Sequence, residues 1–271
     1  MKLMTLNCHS WQEDNQLAKI KILAERIKKE QYDVIALQEI SQHVDGEYIS
    51  GNIKSDNYVQ VLINELNSIN ENAYEYVWDF SHIGYDVFEE GLAIVSRHKI
   101  KSYDSFYVSE DQNKNNYKSR KIVKATIEAN GKEIDFFSCH LGWWNDQDEP
   151  FKNQVDNLIK HIDNNKLSFL MGDFNNNALL KDEGYDYIIA QGMIDTYKIA
   201  EEKDSGITVK GTIDGLTLCR RSPRFFGDRG CSDVWTEPAG SAKTHGRQSL
   251  PVRVFSGNSA AKAIPYRYRH T

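Results

Sequence analysis

A short apolar run that ends in polar residues is the feature of this sequence that most constrains its fold. The run from Leu167 to Met171 favours a buried strand, and Gly172-Asp173-Phe174-Asn175 ends it in a polar loop. Because alternate side chains of an extended chain point the same way, Asp173 and Asn175 can reach one site at a sheet edge. A carboxylate there could orient a water molecule, and an amide could bind a phosphoryl oxygen. Asp and Asn are also common turn residues, so this stretch alone leaves an ordinary loop open.

Three further strand-like segments end in polar side chains. These side chains are Asn7 after the strand Met1 to Leu6, Glu39 after Asp33 to Leu37, and His140 after Glu133 to Cys139. A rigid scaffold commonly presents functional groups on loops at the ends of strands, so we expect these side chains to converge with Asp173. Taken singly, each has a structural explanation, such as a turn or a buried histidine. Taken together, a carboxylate and an amide oxygen that leave several waters in place suit Mg²⁺ or Mn²⁺ better than Zn²⁺.

The rest of the apolar pattern alternates between helical spacing and the two-residue period of strands. Helices are predicted around residues 17–27, 59–66, 151–162 and 186–191, and strands at 74–80, 92–96, 102–108, 122–129, 133–139 and 207–213. Asn130-Gly131 predicts a tight hairpin between two of these strands. We expect residues 41–56 to form a loop at the rim of the site.

Charge and composition narrow the class of protein. With 271 residues and 40% hydrophobic content, the chain can bury a large core. It has no apolar run of about 18 residues and no signal-like start, and its four cysteines are irregularly spaced, so we expect a cytoplasmic protein with no membrane partner. The formal net charge is −6. An acidic chain would repel a nucleic-acid backbone, which makes a small phosphorylated substrate the expected partner.

The composition changes abruptly after Gly215. From Leu216 onward there are eight Arg and two Lys against two Asp and one Glu, a charge of +7 that leaves −13 for residues 1–215. Four of the five prolines also lie here, and the pattern indicates a weakly ordered segment. This part is either a distinct basic tail or the product of a shift in the coding frame near Leu216, and we favour the shifted frame. The predicted domains are therefore residues 1–215 and a tail at 216–271.

Five motifs, in this order along the chain, resemble those of the endonuclease/exonuclease/phosphatase superfamily. They are Leu6-Asn7-Cys8-His9, Leu37-Gln38-Glu39, Gly91-Leu92-Ala93-Ile94-Val95-Ser96-Arg97, Ser138-Cys139-His140-Leu141 and Gly172-Asp173-Phe174-Asn175. The resemblance implies an α/β four-layer sandwich, with two mostly antiparallel β-sheets packed face to face and helices outside.

The same resemblance implies a role for each site residue. Asn7 and Glu39 would bind a divalent metal, and Asp173 would position or activate the water molecule. Phosphoryl contacts would come from His140, Asn175 and Arg120.

Residues 7–13 and Leu141-Gly142-Trp143-Trp144 are similar to a cytosolic bacterial branch of sugar-phosphate phosphatases, which includes maltose 6'-phosphate phosphatase. In that branch a sugar ring would be met by aromatic side chains, and the residues expected to contact substrate are His9, Trp11, Arg120, Trp143 and Trp144. The two neighbouring tryptophans could instead be core residues. A nuclease or another phosphodiesterase of the same family is the alternative, although it should show a basic groove.

The sequence departs from the family pattern in its last part. The closing strands and the final Ser-Asp-His motif are missing, and Ser232-Asp233-Val234 places a valine where the histidine belongs. Loss of such an imidazole typically costs on the order of 10² to 10⁴ in rate. We therefore expect an impaired phosphoesterase, with a non-catalytic protein that binds a phosphorylated ligand as the alternative.

Overall fold

Two β-sheets packed against each other lie at the centre of the structure, a computed structural model. It describes residues 1–69 and 73–203 and the strand residues 212–213, 216–217 and 252–257. The first sheet has the strand order β1-β2-β6-β5. Its strands are β1 (Leu3–Asn7), β2 (Val34–His43), β5 (Glu75–Gly84) and β6 (Phe88–Ser96). β1 and β2 are parallel, and the other neighbouring pairs are antiparallel.

The second sheet has the order β11-β14-β10-β9-β8-β7 and contains one parallel pair, β9 with β10. Its strands are β7 (Ile100–Tyr107), β8 (Lys121–Ala129), β9 (Lys132–His140), β10 (Leu167–Asp173), β11 (Ile194–Asp195) and β14 (Val252–Gly257). Two short hairpins are separate from both sheets: β3 (Tyr48–Ser50) with β4 (Ile53–Lys54), and β12 (Thr212–Ile213) with β13 (Leu216–Thr217).

Helices cover the outer face of each sheet. On the first sheet lie α1 (Gln16–Glu30) and α2 (Tyr58–Ile69), and on the second lie α3 (Phe151–Ile159) and α4 (Gly184–Ala190), while α5 (Thr196–Ile199) is a single turn after β11. Three apolar clusters separate these layers, one between the two sheets and one under each helical layer. The predicted four-layer sandwich with mostly antiparallel sheets is therefore confirmed.

Local sequence explains why these elements form. The stripe on α1, Ile20, Leu23, Ala24 and Ile27, is buried, as its helical spacing requires. Asn130 and Gly131 both have positive φ, at 52° and 71°, which produces the predicted tight hairpin between β8 and β9. None of the described helices is long and apolar enough to cross a membrane.

The prediction of a loop at residues 41–56 is wrong in part. β2 continues to His43, where Ser41 and Gln42 are buried and pair with β6. Lys54 is also fully buried, and its Nζ lies 2.9 Å from Glu89 Oε2 and donates to the carbonyl oxygens of residues 43 and 44. Polar residues hid this order because their burial depends on partners distant in sequence.

The prediction that the closing strands are absent is wrong for one strand. β14 pairs with β10 in antiparallel register, from Ser168 opposite Gly257 to Asp173 opposite Val252. The short apolar pattern of Val252, Val254 and Phe255 was the available signal, and the Arg-rich and Pro-rich surroundings obscured it. Of the strand predicted at 207–213, only Thr212 and Ile213 lie among the described residues. The boundary at residue 215 and the shifted frame stay predictions.

Candidate active site

Four of the predicted site residues meet where the parallel pairs β1–β2 and β9–β10 end. Asn7 Nδ2 donates to Glu39 Oε1 at 2.7 Å and to Asp173 Oδ2 at 3.1 Å. His140 Nε2 lies 3.8 Å from the same oxygen of Glu39. The register of the two parallel strand pairs explains this convergence, since Asp173 lies directly opposite His140 and Asn7 lies opposite Gln38. The site therefore joins the two sheets at one edge of the sandwich.

The backbone that presents Glu39 is unusual. Glu39 has a left-handed φ of 52° at an irregularity in β2 between Leu37 and Ile40. Such a conformation is costly for a residue other than glycine, and it persists only where the surroundings hold it. Here Ser10 holds it, because Ser10 Oγ donates to Glu39 O at 2.6 Å and accepts from Ser41 N at 2.7 Å. The loop after β1 thus fixes the direction of the Glu39 side chain.

Asp173 is fully buried at the end of β10. Its Oδ1 accepts the Asn175 N–H at 2.9 Å, while Oδ2 faces Asn7. Burial raises the pKa of Asp173 to about 7, against the lowering effect of these two hydrogen bonds. Gly172 permits the position, because a Cβ there would lie 1.9 Å from Cys139 O.

His140 and Arg120 are two buried nitrogen-bearing side chains of the site. Burial lowers the pKa of His140 well below its usual range, and the charge of Arg120 acts in the same direction. His140 is therefore a neutral imidazole. Arg120, immediately before β8, is itself buried, and burial lowers its pKa although the carboxylates of Glu90, Glu39 and Asp173 oppose this.

The guanidinium of Arg120 has an unpaired N–H in the part of the chain that the structure describes. Its Nε is buried and finds no hydrogen-bond partner among the described residues. Its Cζ lies 5.9 Å from the centre of the Trp143 ring, within the range of a cation–π contact. An anionic ligand would supply the hydrogen-bond acceptor that this buried cation lacks.

The side-chain amide of Asn175 is oriented differently from the prediction, in which it contacts a phosphoryl oxygen. Its Nδ2 donates to Leu141 O at 2.6 Å, so its N–H group is already engaged by the backbone. Its Oδ1 is buried without a hydrogen-bond partner in the part of the chain that the structure describes. As placed, Asn175 offers an acceptor to the site and would have to turn its amide over to donate to a phosphoryl oxygen.

The four remaining predicted substrate contacts divide into two groups. His9 and Trp143 lie close to the site. Burial lowers the pKa of His9, but the carboxylates of Glu13 and Glu39 outweigh this effect, so the pKa of His9 is raised. Trp11 and Trp144 are engaged in packing. The Trp11 ring lies 5.6 Å from that of Tyr58, and its Nε1 donates to Ser41 O.

Trp144 packs against Phe151 and Tyr187, with ring centres 6.1 and 6.0 Å away. Trp143 is half-buried and adjoins Arg120. Of the two neighbouring tryptophans, Trp143 is thus the one placed to meet a ligand.

Several residues of the site were missed in the sequence. Glu90 and His82 are buried beside Arg120, and His82 Nε2 lies 3.4 Å from Glu90 Oε1. Gln38 Nε2 donates to Ser138 Oγ at 3.0 Å and so connects the two sheets just behind the site. The position of Glu90, directly before the Gly91 motif, was the available signal. His82 had none, because a histidine in a strand pattern is most often a core residue.

The oxygen atoms of the site meet the requirements of a divalent cation only in part. Asn7, Glu39 and Asp173 offer hard oxygen atoms, and Glu39 is partly exposed, which suits Mg²⁺ or Mn²⁺ in type. As placed, however, Asn7 turns its nitrogen to both carboxylates and its Oδ1 to the His9 N–H at 3.2 Å. Within the described ranges, no group of three or more His, Cys, Asp or Glu side chains is arranged to hold a metal. A cation would therefore rely on one or two carboxylates and the Asn7 amide turned over.

Comparison with known proteins decides the family. The model of the endonuclease/exonuclease/phosphatase family matches residues 4–249. The chain belongs to this family. Its members are hydrolases that act on phosphoesters, and they generally use divalent metals. The match extends beyond the predicted boundary at residue 215.

Solved structures agree with this assignment. A family protein from Leptotrichia buccalis is 35% identical, with a TM-score of 0.78, and the alignment covers 94% of this chain and 87% of that one. A mannosyl-6-phosphatase from Bacteroides thetaiotaomicron is 14% identical with a TM-score of 0.59, covering 96% and 86% of the two chains. TDP2 from Caenorhabditis elegans is 16% identical with a TM-score of 0.55, covering 95% and 64%. The last two show the fold alone. None of the curated proteins is similar enough to match.

Proposed function

We propose that the chain is a divalent-metal-dependent phosphatase that hydrolyses the phosphate monoester of a sugar, of the maltose 6'-phosphate type. The observation that carries this proposal is the buried guanidinium of Arg120, whose Nε is unpaired among the described residues, next to the carboxylates of Glu39 and Asp173. A phosphoryl group would complete the hydrogen bonding of Arg120. Glu39 and Asn7 would hold Mg²⁺ or Mn²⁺, which when bound would neutralise charge on the phosphoryl oxygens.

The residues of the chain would divide the remaining work. Arg120 binds and orients the phosphoryl group with charge-assisted hydrogen bonds. His140, a neutral imidazole, donates one N–H to a phosphoryl oxygen. Asp173 orients the attacking water and accepts its proton at Oδ2, the oxygen that faces the cluster. Burial keeps these groups fixed, which favours in-line attack.

Two observations support a sugar phosphate as the substrate, and the name of one neighbour in fold guides the choice of assay. Trp143 is half-buried next to Arg120, so its ring could stack on a sugar while the guanidinium binds the phosphate. The −13 charge of residues 1–215 disfavours a nucleic-acid substrate. One neighbour in fold is a mannosyl-6-phosphatase, which makes sugar 6-phosphates the first class to assay.

We expect turnover to be slow. The sequence lacks the final Ser-Asp-His motif, and Ser232-Asp233-Val234 lies outside the described residues. An imidazole that is missing from such a site typically costs on the order of 10² to 10⁴ in rate. The same observation favours one rival, a protein that binds a phosphorylated ligand without turning it over. The cytoplasmic location likewise stays a prediction.

The experiment is an assay of phosphate release by the purified full chain with Mg²⁺. Sugar 6-phosphates should be hydrolysed in preference to bis(p-nitrophenyl) phosphate, a phosphodiester. Preference for the diester would instead support a phosphodiesterase. Calorimetric binding of the sugar phosphate with no release of phosphate would support the non-catalytic rival.

A further inference from the structure

We infer that His82 is a positioning residue, which acts through Arg120 to hold the phosphate-binding guanidinium in place. The inference rests on the proposed function, in which Arg120 receives the phosphoryl group. His82 lies on β5 in the first sheet and is only 4% exposed. Its Nδ1 lies 3.3 Å from the carbonyl oxygen of Ser119, the residue before Arg120, and its Nε2 lies 3.4 Å from Glu90 Oε1. One ring thus contacts both the backbone and a carboxylate that surround Arg120.

Three hydrogen bonds within its own loop hold the segment that carries Arg120, and outside the loop Ile83 N of β5 donates to Lys114 O at 2.6 Å. Ser119 N donates to Asn116 O at 3.0 Å, and Ser119 Oγ donates to Asn113 O at 2.8 Å. Arg120 N donates to Ser109 Oγ at 2.9 Å. The three contacts within the loop fix it internally, and they leave its position relative to the first sheet to other residues.

β5 holds the segment that carries Arg120 in position relative to the first sheet. His82 contacts Ser119 O, and Ser81 Oγ accepts the N–H of Lys121 at 3.2 Å. Because Glu39 belongs to the first sheet and Arg120 to a segment leading into the second, contacts between the sheets set the distance between the carboxylate and the guanidinium. An error of about 1 Å in such a distance can cost on the order of 10² in rate.

The charge state of His82 suits this role. Burial, and next the charge of Arg120, lower the pKa of His82 to about 3, so the ring is neutral near pH 7. A neutral ring leaves the negative charge of Glu90 acting on Arg120, the largest of the carboxylate effects that keep Arg120 protonated. It also has a single N–H for two acceptors, Ser119 O and Glu90 Oε1. A proton on Nδ1 would serve the backbone of Ser119 and thereby Arg120.

Substitutions at position 82 can separate the two acceptors. In His82→Asn the amide nitrogen lies near the position of Nδ1 and can donate to Ser119 O, whereas in His82→Gln it lies near Nε2 and faces Glu90. His82→Leu removes both contacts. We expect inorganic phosphate, measured by calorimetry, to bind about tenfold more weakly to His82→Leu and His82→Gln, the effect of about one hydrogen bond. His82→Asn should bind within about twofold of wild type.

A double-mutant cycle shows whether the effect passes through Arg120. In the Arg120→Ala background, His82→Leu should cause no further loss of phosphate affinity. As a single substitution assayed on a sugar 6-phosphate, His82→Leu should raise KM more than it lowers kcat. Equal losses from His82→Leu with and without Arg120 would overturn the inference. So would His82→Asn binding phosphate as weakly as His82→Gln.

The control is His98→Asn. His98 Nε2 lies 2.8 Å from Oδ1 of Asp33, which immediately precedes β2 and is six residues before Glu39 in the chain. It should lower stability and leave phosphate affinity unchanged. If His82→Leu does not fold, the Asn and Gln variants still decide. A wild-type chain that binds phosphate but hydrolyses nothing would refute the proposed function and leave this test intact, whereas a chain that binds no phosphate would overturn both.

Discussion

Replacing Ser10 by alanine should disturb Glu39 while removing a single oxygen atom. Ser10 is 1% exposed, and its hydroxyl makes two short hydrogen bonds, to Glu39 O at 2.6 Å and from Ser41 N at 2.7 Å. Each bond contributes about 0.5–1.5 kcal/mol, and the substitution also leaves the buried Ser41 N–H unpaired, so the loss of stability should be about 2 kcal/mol. The strained φ of Glu39 can then relax, and a shift of about 1 Å in its carboxylate would lower kcat on the order of 10²-fold.

Two measurements check this prediction. The midpoint of denaturant unfolding reports the stability, and the rate of phosphate release at saturating Mg²⁺ reports the position of Glu39. Ser68→Ala is a matched control, because the exposed Ser68 hydroxyl makes one hydrogen bond, to Glu65 O in α2, and its loss should change neither quantity appreciably. A Ser10→Ala chain with wild-type stability and rate would refute the argument that this hydroxyl holds Glu39.

Three further predictions follow from the packing and charges. Trp143→Ala should raise KM for a sugar phosphate and change the free energy of unfolding by less than about 0.5 kcal/mol. Trp144→Ala should lower the free energy of unfolding by about 2 kcal/mol, because Trp144 packs against two aromatic rings. Kinetics and unfolding curves that show the larger loss of stability in Trp143→Ala and the larger rise of KM in Trp144→Ala would contradict this prediction. As pH falls from 6.5 towards 3, the unfolded chain binds a proton that folded His82 does not, so its contribution to stability falls by up to about 1.4 kcal/mol per pH unit. The stability advantage of wild type over His82→Asn should therefore shrink in that range, and an advantage that grows would show the sign to be wrong. Gly172→Ala should cost about 4 kcal/mol or more, since its Cβ would overlap Cys139 O, and a stably folded variant would contradict the close approach of the two strands.

Much of the sandwich could be predicted because its apolar periods are local. The α1 stripe and the Asn130-Gly131 hairpin need only neighbouring residues to specify them. The extension of β2 to His43 and the burial of Lys54 could not be predicted, because they depend on Glu89 and on the carbonyl oxygens of residues 43 and 44. Polar residues that are buried through distant partners carry no periodic signal.

The site divides in the same way. Asn7, Glu39, His140 and Asp173 could be placed together because each follows an apolar strand, and the ends of parallel neighbours meet. The direction of each side chain was beyond the sequence: Asn175 gives its N–H to the backbone and Trp144 faces the core.

The residues that surround Arg120 could not be predicted from the sequence either. His82 and Glu90 join it only through the packing of the two sheets, since β5 and β6 lie in the first sheet and Arg120 precedes a strand of the second. Their proximity to Arg120 therefore has no counterpart in sequence spacing.

The most direct test of the central claim is the dependence of phosphate release on Mg²⁺ through Glu39. The full chain, freed of metal with a chelator and assayed on a sugar 6-phosphate, should be inactive and should recover slow turnover when Mg²⁺ is added. Glu39→Gln should lose that recovery, whereas Glu25→Gln, an exposed carboxylate of α1, should keep it. Equal phosphate release with and without Mg²⁺, or by Glu39→Gln, would contradict the assignment of Glu39 to the metal. Turnover above about 1 s⁻¹ would contradict the expected impairment.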